Sequence, residues 1–321
     1  MKASIRKILS LIIPLFLGLG IIYYQYTTLS PEELQKIKIC FQKADYLYIY
    51  LSLFISLFGY WSRAYRWKFS LNHLGYQTHF KNDFLTVCVS YLVNLTIPRS
   101  GEISRAALLK KYENVPFDKG FGTIVAERIV DLLLFLLFVG LAFVLQFEKL
   151  YAFICEKISI EKILLFIALA VLAGVGFVFL WIYAEWKIII KLKEKLSGLL
   201  EGMQSIYKMK DKWNYIFHSF FIWFSYLMMF YVTIYALPET ASMSFDVVVM
   251  GFVFGSIAVG FTNGGLGAYP LAIAMIFSLY GISKDVGTAF GWLVWTSQTL
   301  LTIFLGLSSY LLLPILNKKI K

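Results

Sequence analysis

The chain has 321 residues, of which 59% are apolar and 15% charged, and its mean hydropathy is +0.71. A soluble domain carries about a quarter charged residues, so this composition excludes an ordinary soluble globular protein and predicts an all-α integral membrane protein. The formal net charge of +11 does not indicate nucleic acid, because Lys and Arg cluster in short blocks beside apolar runs, where they set topology and meet anionic headgroups.

A membrane-crossing helix needs about 20 consecutive, mostly apolar residues. In chain order, residues 5–26, 46–60, 121–147, 163–181, 215–237 and 286–313 approach or meet that length, which gives about six full transmembrane helices. The first follows Lys2, Arg6 and Lys7 and ends in Tyr23, Tyr24 and Tyr26 with no small-residue cleavage site, so it reads as an uncleaved helix with an aromatic belt.

Two further apolar stretches do not fit as simple spans. Residues 84–98 make only about 22 Å of helix, and basic residues flank them on both sides: Arg63, Arg66 and Lys68 before, Arg99, Arg105, Lys110, Lys111 and Lys119 after. The simplest resolution is a re-entrant segment that enters from the cytoplasm, breaks at residues 94–101 and returns. Residues 247–280 are interrupted at 262–267 and read as a second dip, from the outside; two full spans are the alternative. With both dips in place, the Lys-rich loop 187–212, Lys318, Lys319, Lys321 and both termini fall on the cytoplasmic side, as the positive-inside rule requires. The loops 27–45 and 148–162 fall outside.

The chain then forms one membrane domain, 1–321. Its halves, 1–150 and 151–321, each read span, span, re-entrant broken-helix pair, span, in opposite orientations. Such inverted repeats are the architecture of secondary transporters, with the site at the breaks, where irregular backbone is tolerable because protein or water satisfies it.

Three constellations carry the candidate chemistry. The first is Asn94, Pro98, Arg99, Gly101, Glu102 and Arg105. Pro and Gly break the helix, Asn94 can bond freed backbone groups, and Glu102 and Arg105 share a face. It reads either as a polar floor in which Arg105 or Arg99 holds an anionic headgroup, or as a cytoplasmic turn with a surface ion pair. The second is Glu127, Arg128 and Asp131, inside a span. Ionisable groups there are costly and face the bundle or a water-filled path; they read as partners of Glu102 and Arg105 in a transport site, as a structural ion network, or as an ion relay. The third is Asn263, Gly264, Gly265 and Gly267, where glycines permit close approach of two half-helices, or else form a tight outside hairpin. Cys40, Cys88 and Cys155, like His73, His79 and His218, show no metal spacing. No nucleophile or nucleotide motif is recognisable, so no cofactor, metal or catalytic residue is expected.

At these residues the chain resembles the flippase-like transmembrane region of bacterial lysylphosphatidylglycerol synthases, including its stand-alone members. The matching positions are Asn94, Pro98, Gly101, Glu102 and Arg105, then Glu127, Arg128 and Asp131, then Gly264, Gly265, Leu266 and Gly267, in the family's order across most of the chain. Where the family often has Pro before the paired glycines, this chain has Asn263. The resemblance implies a bacterial or archaeal multi-pass protein of the cytoplasmic membrane that moves or handles a lipid between leaflets. Because the chain ends at Lys321, it also implies no aminoacyl transfer to lipid. The expected function is therefore a flippase-like transporter. A transferase acting on a lipid-linked substrate is the alternative, and a non-catalytic subunit that engages a protein partner through the loop 187–212 is a third reading.

Overall fold

The computed structural model describes residues 23, 27, 30–97, 100–148, 207–262 and 264–317. The expected spans at 5–26 (apart from Tyr23) and 163–181, most of the loop 187–212, Pro98, Arg99, Cys155 and Asn263 lie outside the described residues. Among the described residues every regular element is helical, as the composition requires. The elements are α1 (Pro31–Lys43), α2 (Tyr46–His73), α3 (Phe80–Thr96), α4 (Gly101–Glu113), α5 (Phe117–Leu145), α6 (Lys212–Thr233, extended by one 3₁₀ turn, Ile234–Ala236), α7 (Phe245–Phe261), α8 (Ala268–Ser278) and α9 (Lys284–Leu316).

Among the described residues three helices are long and apolar enough to cross a bilayer: Phe117–Leu145, Lys212–Ala236 and Lys284–Leu316. Their outer faces are apolar and uncovered. On α5, Leu132, Leu133, Leu136 and Leu137 are exposed, and on α9 so are Leu300, Phe304, Leu307 and Leu311. Water would penalise such continuous apolar stripes, whereas lipid tails are their natural solvent. Aromatic side chains dominate the interior between α6, α7, α8 and α9, where Phe230, Phe252, Phe277 and Phe290 pack edge to face or tilted.

Two details differ from the sequence reading. The segment 27–45 is not an open loop: α1 occupies most of it and packs on α9, with Lys36 3.8 Å from Asp285. The second span does not stop at residue 60. It runs on to His73 because one face of the continuation (Ser62, Arg63, Arg66, Ser70) finds buried partners. Arg63 and Arg66, expected as topology markers in a cytoplasmic loop, are therefore interior residues.

Polar contacts sort the helix ends into two groups. At one end the His79 backbone N–H donates to Glu113 Oε2 at 3.2 Å, and Asn82 and Asn317 exchange amide hydrogen bonds at 2.9 Å. This end therefore holds both outer ends of the α3–α4 pair and the C-terminus of α9. At the other end the Asp45 N–H donates to the Ala236 carbonyl at 2.8 Å, and Gln146 Nε2 donates to Asp246 Oδ2 at 2.7 Å. Here lie the start of α2, the end of α6, the end of α5 and the start of α7. The helix pairs α3–α4 and α7–α8 thus enter from opposite ends. Each packs across the molecule, α3 against α9 and α7 against α5. Gly306 makes the first crossing possible: a Cβ there would overlap the Leu92 side chain.

Candidate functional site

The first break separates α3 from α4. At its start Asn94 does what its place in the sequence suggested: its Oδ1 accepts the Gly101 N–H at 2.7 Å, satisfying one of the donors that a helix start leaves open. Gly101 is obligatory there, because a Cβ would run into the Ser90 carbonyl oxygen and the Asn94 side chain. The second break separates α7 from α8. Gly264, Gly265 and Gly267 hold φ values of +63°, +81° and +69°, the left-handed region that only glycine enters without penalty. Trp295 on α9 fixes the turn by donating its indole N–H to the Gly264 carbonyl at 2.7 Å. The two breaks meet: a Cβ on Gly264 would sit 3.2 Å from Leu95 Cδ2.

Beside that meeting point lies a cavity of about 460 Å³. Tyr60 on α2, Tyr91 and Asn94 on α3, Glu102 on α4, Arg128 on α5, Tyr226 on α6, Gly264 at the second break, Tyr269 on α8, and Trp295, Gln298 and Thr302 on α9 contribute to its wall. Hydrogen bonds hold several of these groups in place. Ser56 Oγ donates to Gln298 Oε1 at 2.8 Å, and the Tyr60 hydroxyl pairs with Thr302 Oγ1 at 2.8 Å. Gln298 sits about 21 Å along a helix of about 50 Å, so these polar groups lie at mid-length of a spanning helix, where uncompensated polarity is most costly.

Behind the cavity is a charged network. Glu127 and Arg66 are fully buried. Arg105 grips Glu127 with Nη1 to Oε2 at 2.8 Å and Nη2 to Oε1 at 3.3 Å, and stacks over the Trp67 ring at 3.8 Å. Arg66 lies 3.5 Å from Glu127 and donates to Asp131 Oδ1 at 2.8 Å. Arg63 donates to Asp131 Oδ2 at 2.9 Å and to the Tyr226 hydroxyl at 3.1 Å. Arg128 is the outermost member: its side chain is 42% exposed, 3.2 Å from Asp131 and 4.0 Å from Glu102. The seven groups so joined comprise four arginines and three carboxylates, a formal surplus of one positive charge. A separate small void of about 20 Å³ is lined by Arg63, Arg105, Asn94, Glu102 and Arg128, the last three of which also line the cavity.

The predicted residues therefore divide. Asn94, Glu102, Arg128 and Gly264 reach the cavity wall; Glu127, Arg105 and Asp131 are interior and bound to arginines; Gly265 and Gly267 shape the second break. The expected pairing of the Glu127 group with Glu102 and Arg105 holds for Glu127–Arg105 and, more loosely, for Arg128–Glu102, while Asp131 is claimed by Arg63 and Arg66. Sequence reasoning missed those two arginines. The signal was available: they stand three apart on one helix face, complementary to Glu127 and Asp131 four apart on another. Gln298 was equally readable as an amide inside an apolar span. The tyrosines and Trp295 carried no such signal, since aromatic residues in membrane helices read as interface anchors.

The family described as the lysylphosphatidylglycerol synthase TM region matches residues 11–306. The chain belongs to that family. It is 26% identical over 262 residues to the UPF0104 membrane protein MJ1595 of Methanocaldococcus jannaschii, covering 70% of this chain and 72% of that one. It is also 38% identical over 74 residues to the glycosyltransferase AglD of Haloferax volcanii, covering 22% of this chain but 12% of AglD. Membership of the family is thus not specifically bacterial. No solved structure matches the chain. A multi-pass membrane protein is what this family and the apolar helices together establish.

Proposed function

We propose that this protein is a flippase-like transporter that carries a phospholipid or lipid-linked intermediate between leaflets, with the headgroup in the cavity where the two helix breaks meet. The observation that carries the reading is the cavity itself. It lies at mid-length of the spanning helix α9, is walled by both breaks, and presents Arg128 in front of a network with surplus positive charge. An anionic headgroup would complete that charge balance, while the acyl chains remain in the bilayer beside the apolar break tips. Phe261, at the second tip, is 86% exposed, which suits contact with lipid.

In this reading the halves 1–150 and 151–321 are inverted repeats. Exchanging α2 with α6, α3 with α7, α4 with α8 and α5 with α9 turns the packing α3–α9 into α7–α5, and α2–α9 into α6–α5, all of which occur. Opposed repeats around a central site can rock to expose it to each side alternately. The protein sits in the cytoplasmic membrane with both termini and the Lys-rich loop inside. Arg128 contacts the headgroup; Arg105, Glu127, Asp131, Arg63 and Arg66 hold the scaffold behind it.

The test is transport of a fluorescent-headgroup phosphatidylglycerol in vesicles containing the full chain, with leaflet position read by dithionite quenching. Arg128→Gln should slow movement at least tenfold, the scale of one charge-assisted contact, with insertion unchanged. Movement at the unaltered rate would overturn the reading. A second reading is transfer onto or from a lipid-linked substrate; its support is the name of AglD, a glycosyltransferase, of which the match covers 12%. That reading predicts a new covalent product in the mass spectrum of the vesicle lipids.

A further inference from the structure

The buried carboxylates Glu127 and Asp131 are held by arginines, and Asp285 faces Lys36. Asp83 differs. It stands in the first turn of α3, at the outer end of the α3–α4 pair and outside the three spanning helices. It is fully buried and forms no ion pair among the described residues. Its Oδ2 accepts the Thr78 hydroxyl at 2.7 Å, while its Oδ1 receives no hydrogen bond, not even from the N–H groups at the α3 start. An ionised carboxylate so placed is costly, and the neutral acid is the form that the surroundings stabilise. Burial is the largest influence and pushes the carboxyl up to about 7; the Thr78 hydrogen bond opposes it, Glu113 on α4 adds to it, and Arg105 on α4 and Lys68 on α2 oppose it. From α9 the approach is neutral, through Asn317, because Lys284 and Asp285 lie at the opposite end of that helix.

Thr78 links Asp83 to a second cavity, of about 480 Å³, which it lines together with Lys68, Asn72, Gln77 and Lys210. Its hydroxyl can accept as well as donate, so it can hand a proton from that cavity to the carboxylate. One hydroxyl is far fewer oxygens than a hard metal cation takes, and the fitting ligand is a proton. The contacts that close this end of the molecule adjoin the site: Asn82, next in the chain, bonds Glu113 and Asn317, and the His79 N–H donates to Glu113. We propose that Asp83 is a proton-binding site whose occupancy keeps the outer ends of α3, α4 and α9 closed together. With the proton bound, Asp83 is neutral near Glu113 and this end stays packed. Without it, the charge of Asp83 adds to that of Glu113, and water must enter to solvate it. This holds whatever the cavity between the two breaks carries.

The test is amide hydrogen exchange of the full chain in detergent, followed on peptides covering residues 76–86 and expressed as protection relative to the intrinsic rate at the same pH. The closed form takes up its proton near pH 7, and the opened form near the ordinary aspartate value of about 4. Closed protein therefore binds more protons and loses its advantage as pH rises through the closed-state value. Protection in the parent should fall about tenfold from about pH 6 to about pH 8. Asp83→Asn keeps the shape of the neutral acid, so it should abolish the fall and retain the high protection at the alkaline end. His79→Gln should leave the fall intact. Thr78→Val takes a donor from the charged form and should move the midpoint of the fall to higher pH; it serves as the second variant if Asp83→Asn does not fold. Level protection in the parent across this range would overturn the assignment. So would a fall that persists in Asp83→Asn, one that vanishes in His79→Gln, or a midpoint unmoved by Thr78→Val.

Discussion

Glu127 offers the sharpest test of how the charged network works. Its carboxylate is fully buried, accepts two hydrogen bonds from Arg105 and lies 3.5 Å from Arg66. Glu127→Ala would leave the Arg105 guanidinium with the Trp67 face and no counter-charge, while Arg66 would keep Asp131. Removing one partner of a buried ion pair costs about 3–5 kcal/mol, chiefly because the other charge is left desolvated and unpaired. At about 2–4 °C per kcal/mol for a chain of this order of size, the unfolding midpoint should fall by roughly 10 °C. Glu127→Gln keeps one acceptor oxygen for Arg105 and should lose about half as much. Adding Arg105→Met to Glu127→Ala removes the stranded charge, so the double variant should be more stable than Glu127→Ala alone. The expected coupling is about 1–3 kcal/mol. Fluorescence-detected size-exclusion chromatography of the heated full chain in detergent reads the midpoints of the parent, these three variants and the Arg105→Met single variant that completes the cycle. A Glu127→Ala midpoint within about 2 °C of the parent, or strictly additive losses in the double variant, would refute the idea that Glu127 is the counter-ion on which the network closes.

The remaining predictions concern the breaks and the topology. Gly101→Ala should abolish stable insertion or monodispersity, because the new methyl overlaps backbone at the Ser90 carbonyl as well as Asn94; an unaltered elution profile would contradict the close approach of α3 and α4. Asn94→Leu leaves the Gly101 N–H without its acceptor and should cost about 1–3 kcal/mol, with Asn94→Asp largely restoring the midpoint because it retains the oxygen. Single cysteines at Ser242 and Ser283, in a background without Cys40, Cys88 and Cys155, should label from one side of the membrane and a cysteine at Asn114 from the other. Labelling of Ser242 and Ser283 from opposite sides would replace the second re-entrant pair by two full crossings.

Much of this protein was legible in its residues because the bilayer is a severe solvent. Apolar run length, basic flanks and the glycines and proline at two breaks suffice to predict helices, their approximate ends and the existence of two interrupted segments, since backbone in hydrocarbon must bond to itself. Asn94 was correctly placed as a cap because a helix restarting at Gly101 needs an acceptor nearby. The end of α2 was misplaced for the same reason that the rule works elsewhere. Arg63 and Arg66 read as water-facing when each run is judged alone, and they are interior only because Glu127 and Asp131 arrive from a helix more than fifty residues later. Sequence alone thus determined a helical membrane protein with two broken segments. Tertiary packing alone decided that the breaks touch, that Arg128 rather than Arg105 faces the cavity, and that Tyr60, Trp295 and Gln298 form its wall. These depend on which helix faces meet, and pairwise burial between distant segments leaves no periodic trace in either segment by itself.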